Sequence, residues 1–371
     1  MKHQARLSGI FILAILGALA LVAVACGGDN GDANGDNGQP EAPTEAANQT
    51  PAAEPEDRGS ASGSITVYSG RAEALIGPII EQFEQETGID VRVRYGGTPE
   101  LAATLLEEGS NSPADLYIGQ DAGSLGLLAA EGLFLPLPED ILGLVPAQYR
   151  ADDGDWVGLS GRARVVVYNT DAIDPDTLPD SIFDYTDPQW SGRIGWAPTN
   201  ASFQSFVTGM RVVHGEDATR EWLEDIAANG AREYPNNTSI VEAVAAGEVE
   251  VGFANHYYLF RFLAERGEGF GARNFYFDNG DIGGLMNVAG AGVLTTTRNE
   301  PAAQRFIEYM LQQDAQDYFA QETFEFPLAP NVNVSFDVPP LAELEPVRID
   351  LTDLGDLRGT IELLQSTGVL P

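Results

Sequence analysis

The chain has 371 residues, 43% of them hydrophobic, and carries 56 acidic against 20 basic side chains for a formal net charge of −36. That length allows two lobes with separate cores. The acidity excludes nucleic acid and anionic lipid surfaces as partners, because both demand a basic footprint.

At the N-terminus Lys2, His3 and Arg6 precede an apolar run over 10–24 that stops at Ala25-Cys26-Gly27-Gly28. The run is shorter than the roughly 20 apolar residues of a spanning helix, and a small-residue cleavage site follows it. The pattern predicts a lipoprotein signal peptide over 1–25, with Cys26 as the acylated residue that ties the chain to the membrane. Cys26 is the only cysteine, so it has no intramolecular disulfide partner. Residues 26–62 are Gly, Asp, Asn, Glu, Pro, Ala and Thr with almost no large apolar side chain, which predicts a disordered acidic linker.

After the linker the residues alternate between strand and helix patterns. Residues 64–68 read as a buried strand, and Leu75, Ile76, Ile79, Ile80 and Phe83 recur at helical spacing before a stop at Gly88. Val91, Val93 and Tyr95 alternate with arginines, a helix is expected over 98–108, and 115–118 gives a third strand. The grammar restarts with strands over 164–168 and 193–197, helices over 202–213 and 217–229, and a strand over 249–254. The stretches 164–168 and 288–294 read as crossovers, with a helix after Asn299-Glu300-Pro301 returning to the first lobe. Such units imply an α/β chain with open, largely parallel sheets covered by helices and a ligand cleft between lobes.

No phosphate-binding loop, nucleophile elbow or paired-histidine metalloprotease helix is present, which speaks against an enzyme. The glycines over 280–292 lack full dinucleotide spacing and read as hinge or turn. Asn255-His256-Tyr257-Tyr258 follows a strand end, where α/β proteins place ligand loops. Adjacent tyrosines in a strand face opposite ways, so both reach one ion only if the chain turns irregular there. By residue chemistry the pair reads either as packing or as a ligand pair for Fe³⁺, a hard cation that favours anionic oxygen. A lone histidine beside them, His256, reads as structural.

Across nearly everything after the linker the chain resembles the ferric-ion-binding protein family of periplasmic solute-binding proteins. The likeness is carried by Val67-Tyr68-Ser69-Gly70-Arg71, Glu108-Gly109-Ser110-Asn111-Ser112-Pro113-Ala114-Asp115, the run 156–169, Gly192-Arg193-Ile194-Gly195 and Asn255-His256-Tyr257-Tyr258. It implies a two-lobe periplasmic-binding-protein fold of type II with a hinge, the first lobe over 63–163 plus 290–337 and the second over 164–289 plus 338–371. The implied role is extracytoplasmic capture of Fe(III) with carbonate or phosphate as a synergistic anion. Delivery to an ABC permease and its ATPase, by a monomer, would follow.

By position, the resemblance implies that Tyr257 and Tyr258 bind iron and that Asn200, Ala201 and Ser202 form an anion-binding helix start, although the same residues also read as a plain cap. Asn237 and Asn255 fall on positions that orient the anion or the tyrosines. Two departures stand out: Ala72 occupies the place of a ligating histidine, and Gln120, followed by Asp121, occupies that of a glutamate. Gln120 is therefore a weak ligand candidate with Asp121 behind it, and Arg71 is expected to hold the anion through its planar guanidinium. Another small solute, such as a polyamine, phosphonate or oxyanion, is the alternative cargo. A surface lipoprotein enzyme or scaffold is the reading from another class.

Overall fold

The computed structural model describes residues 62–371 except 330, 331, 333, 335, 337 and 342, so the predicted signal peptide, Cys26 and the linker as far as residue 61 lie outside the described residues. The first α/β run contains β1 (Ser64–Ser69), α1 (Glu73–Thr87), β2 (Asp90–Tyr95), α2 (Thr98–Glu108), β3 (Leu116–Gly119), α3 (Ala122–Ala130) and the short α4 (Glu139–Leu142). α1 forms where the sequence spaced its apolar residues: Ile76, Ile79, Ile80 and Phe83 are buried on one face. It stops because Gly88 adopts a left-handed φ of 72° and donates its N–H to Glu84 O, a conformation that costs glycine little.

β4 (Val157–Asn169) opens a second run of β5 (Ile194–Trp196), α5 (Ala201–His214), α6 (Glu216–Ala228), β6 (Arg232–Glu233), α7 (Asn237–Ala245), β7 (Val251–Asn255), α8 (Tyr257–Arg266) and β8 (Ala272–Phe275). The chain returns through β9 (Met286–Val293), α9 (Glu300–Met310), α10 (Gln313–Gln321) and β10 (Phe326–Pro327). A 3-10 turn at Leu351–Gly355 and α11 (Leu357–Ser366) end it.

The strands form one mixed sheet in the order β2-β1-β3-β9-β4-β7-β5-β6, with β8 and β10 also on β4. β1 lies parallel to β2 and β3, and β5 parallel to β6 and β7, as strand-helix alternation predicts. β4 and β9, however, run antiparallel to their neighbours in the middle of the sheet. They carry the chain across between the two parallel groups, so the sheet is less uniformly parallel than the sequence pattern suggested.

β4 is the strand both halves share. Its first half, to Ala163, pairs with β9 and β10, while from Arg164 onward it pairs with β7 and β8. The apolar cores change at the same place. Val67, Phe83, Trp156, Val288 and Phe306 belong to one core, whereas Val166, Trp196, Phe206 and Trp222 belong to a second and Val165, Val167, Ile240 and Leu259 to a third. The returning passage lies at Leu285 and Met286, where Arg164 N–H donates to Leu285 O and Ala163 pairs with Met286. β9 therefore sits wholly beside β3 and β4, and the crossing precedes the 288–294 stretch where the sequence placed it.

The C-terminal segment touches both sides of this division. Leu351 and Leu354 join the first core, while Leu363, Leu364 and Val369 join the second. Its 3-10 turn lies on α3 at two glycines one turn apart: a Cβ at Gly123 would stand 2.6 Å from Leu354 O, and one at Gly126 would stand 2.4 Å from Thr352 O. Only a residue without a side chain admits a carbonyl that close. Gly126→Ala should therefore lift the tail from α3 and cost about 1–3 kcal/mol, as overpacking does. A Cβ at Gly269 meets nothing within 4 Å. Urea unfolding should thus show a lowered midpoint for Gly126→Ala and little change for Gly269→Ala.

Candidate ligand-binding site

β7 ends at Asn255, the backbone turns helical at His256 (φ −56°, ψ −41°), and Tyr257 opens α8. A continued strand would send the two tyrosines to opposite faces. The helix start instead stacks them, with ring centroids 4.3 Å apart and planes at 28°. Tyr257 is buried and Tyr258 half-buried. Burial raises the pKa of Tyr257, the neighbouring Tyr258 adds to the rise, and Arg162 opposes it. The phenol is thus neutral in the free protein, and only a strongly charged cation could displace its proton near neutral pH.

One helical turn on, the Arg261 guanidinium lies over both rings, 4.8 Å from the centroid of Tyr257 and 5.5 Å from that of Tyr258. His256 is a strut: its Nδ1 accepts the Ala163 N–H at 3.2 Å and its ring packs 4.5 Å from Phe326. Burial drives its pKa down to about 3, so the imidazole is neutral and its Nδ1 lone pair is committed.

A hydrogen-bonded chain leads away from the tyrosines. Arg164 NH1 donates to Asn255 Oδ1 at 3.1 Å and to Asn237 Oδ1 at 3.5 Å. Asn237 Nδ2 then donates to Asn200 Oδ1 at 3.2 Å and Ser202 Oγ at 3.1 Å. Asn200 caps α5 by accepting from Ser202 N at 3.0 Å, and also accepts the Ser202 hydroxyl at 2.6 Å. Ala201, the first residue of α5, has only its backbone to offer. Burial lowers the pKa of Arg164 to about 10, while Tyr258 and Tyr257 oppose the fall, so it stays protonated at neutral pH.

The structure thus brings Tyr257, Tyr258, Asn255, Asn237, Asn200, Ala201 and Ser202 into one constellation, with Arg164 at its centre. Arg164 and Arg162 were not singled out by residue chemistry. The signal was available, since two arginines two apart inside a strand face the same way, and buried arginine is rare unless it has a task. Arg162 is buried, interacts electrostatically with Tyr257, Asp121 and Glu325, and its Nε and NH2 have no hydrogen-bond partner.

Asp121 caps α3, its Oδ1 accepting from Ser124 N at 3.1 Å. Burial raises its carboxyl pKa, and the Ser124 N–H and Arg162 pull it back. Gln120 follows β3. Its N–H donates to Thr98 Oγ1 at 3.3 Å, and its buried Oε1 has no partner, which leaves that oxygen available to a ligand.

Arg71 departs from expectation. Its guanidinium is buried and mostly committed, with NH2 on Glu325 Oε2 at 2.9 Å and NH1 on Ser160 Oγ at 3.3 Å, which leaves Nε as its unpartnered donor. Ser160 Oγ also donates to Glu325 Oε2, at 2.7 Å. Burial pushes the Glu325 carboxyl up, but Arg71 and Arg162 outweigh it and hold it below the usual range. The charge of Arg71 is therefore already compensated by Glu325, whereas Arg162 has two unpartnered nitrogens, Nε and NH2, and no ion pair of its own among the described residues. Sequence reading missed Glu325 because it lies far along the chain, between Phe324 and Phe326, with no motif around it. Among the described residues no group of three or more His, Cys, Asp or Glu side chains is placed to hold a metal.

Comparison with known proteins agrees with this architecture. The Fe(3+)-binding periplasmic protein of Serratia marcescens is 32% identical over 313 residues, 84% of this chain and 92% of that protein. The major ferric iron-binding protein of Neisseria gonorrhoeae is 32% identical over 311 residues, 82% of this chain and 93% of its own length. Iron-bound HitA from Pseudomonas aeruginosa superposes with a TM-score of 0.76 at 34% identity, covering 82% of this chain and 99% of that one. A Trichodesmium protein in complex with iron and citrate superposes with a TM-score of 0.72 at 28% identity, again over 82% and 99%. The model of the bacterial extracellular solute-binding proteins matches residues 111–350, and the chain belongs to that family.

Proposed function

We infer that this chain is the extracytoplasmic solute-binding subunit of an ABC importer and that its cargo is ferric iron bound with a synergistic anion. The observation that carries the reading is the stacked Tyr257–Tyr258 pair, the first buried and the second half-buried, beside Arg162, Arg164 and Arg261. Two phenolates are hard anionic ligands suited to Fe³⁺. The close relatives whose names state a ligand bind ferric iron, which supports the same cargo here.

The charge balance supplies the argument for the anion. Fe³⁺ with two phenolates retains one positive charge, and three guanidinium groups surround it. A carbonate or phosphate ion bound to the metal, reached by the free donors of Arg162 and the N-terminus of α5, offsets that excess. Gln120, through its unpartnered Oε1, and water fill further iron positions. The protein performs no chemistry: the two sides of the sheet close over the ion, turning about the strands at 163–164 and 285–286. A permease and its ATPase then take the cargo, and Cys26 anchors the monomer by its lipid.

Iron-loaded protein should show a visible phenolate-to-iron charge-transfer band that fades on acidification, since protons compete with the metal for the ligands. Tyr257→Phe with Tyr258→Phe should abolish the band and the iron stoichiometry while leaving the fold intact by circular dichroism. Colour and stoichiometry retained in that variant would place the ion elsewhere. Iron-free wild-type protein that takes up no iron but tightens on another small solute would replace the cargo. Closure should register as a smaller radius of gyration in small-angle scattering with saturating iron and bicarbonate. Identical curves would mean a rigid binding protein.

A further inference from the structure

Two buried guanidinium groups share one carboxylate close to the tyrosine pair. Glu325 is fully buried, and its Oε2 carries both hydrogen bonds, from Arg71 and Ser160. Its Oε1 has no partner, and neither do the Nε and NH2 donors of Arg162, whose charge acts on Glu325. Glu325 also acts electrostatically on Tyr257. The carboxylate arrives through a strained backbone: Phe324, the residue before it, holds a φ of 59°, a left-handed conformation that a bulky side chain adopts at a cost. That ring is packed 6.3 Å from Phe260 of α8 and 5.6 Å from Phe336, which fixes the segment against the tyrosine helix. Strain maintained by packing, at the residue that delivers a buried charge, points to a task for the charge.

We propose that Glu325 is a built-in counter-anion that partly compensates Arg162 and so limits how strongly the site draws in the anion that accompanies the cargo. The proposal rests on the iron-and-anion reading above. In the free protein Glu325 spreads its charge over Arg71, which it bonds, and Arg162, which it does not. An incoming anion that bonds the free Nε and NH2 of Arg162 therefore competes with a carboxylate already in place. The site thus favours an anion whose charge is large enough to outweigh Glu325, and Glu325 acts on anion choice through Arg162 without touching the cargo.

The test uses Glu325→Gln, which keeps the shape of the side chain and removes its charge. Iron is added to the full chain and the visible band is followed across separate bicarbonate and phosphate series. The anion concentration for half-maximal band formation should fall by roughly tenfold, the through-space effect of removing one buried negative charge that acts on Arg162. The gap between phosphate and bicarbonate should narrow, because the competitor that penalised the weaker anion is gone. A purely structural Glu325 would instead weaken iron binding equally with both anions, alongside a lower melting temperature, and that result would overturn the proposal. Unchanged half-saturation for both anions would overturn it as well.

Because Glu325→Gln leaves Arg71 without its opposite charge, Arg71→Met with Glu325→Gln removes the ion pair together. Buried pairs often tolerate such a replacement. The double variant leaves Arg162 alone and should show the same lowered half-saturation. If wild-type protein forms no band with either anion, the iron reading itself fails and the proposal falls with it.

Discussion

Everything at the site answers to the burial of two positive charges on one strand. Arg162 and Arg164 lie two apart on β4, each almost without solvent. A guanidinium taken out of water must recover its lost hydration from fixed dipoles or opposite charges, or the fold does not tolerate it. Arg164 recovers it from two asparagine oxygens and the tyrosine pair. Arg162 recovers part from Asp121 and Glu325 through space and leaves donors unused. Neighbouring elements are placed by these demands: α7 through Asn237, α5 through Asn200 and Ser202, β7 through Asn255, and the 324–327 segment through Glu325.

This dependence explains which parts of the molecule were legible from sequence and which were not. The parallel groups were readable because their strands and helices are patterned by burial. Ile65 and Val67 in β1 and the Ile76–Ile79–Ile80–Phe83 stripe of α1 pack in the positions that periodicity assigns. The first half of β4 was unreadable for the opposite reason. Gly158, Ser160, Gly161 and Arg162 show no alternation, because the strand is enclosed on both faces and chosen for clearance and charge. A Cβ at Gly158 would meet Tyr149 O at 2.7 Å. Patterning rules read the hydrophobic effect, and they are silent where close backbone approach and charge decide.

Among the site residues the same division holds. Tyr257 and Tyr258 stood out as a pair, yet their geometry depends on the chain turning helical at His256, which strand periodicity could not foresee. Asn200 does act as the cap its position suggested, while its Oδ1 simultaneously receives Asn237, a link spanning 37 residues that no local pattern encodes. Arg71 illustrates the limit of reasoning by position. Its side chain was expected to meet a ligand, and its partner turned out to be a carboxylate 254 residues away.

The C-terminal tail gives the molecule a mechanical property that neither strand crossing has. The two passages at 163–164 and 285–286 are hydrogen-bonded neighbours, so together they form a single short axle. An axle leaves rotation free. The tail is a third connection between the same two cores, laid against α3 at Gly123 and Gly126 on one side and against α5 through Thr360 and Thr208 on the other. Any rotation about the axle must therefore either stretch the chain between Gly355 and Leu357 or drag α3 with it. Because α3 begins immediately after Gln120 and Asp121, such a drag would be delivered to those two candidate-site residues, and the tail would work as a lever arm as well as a stop.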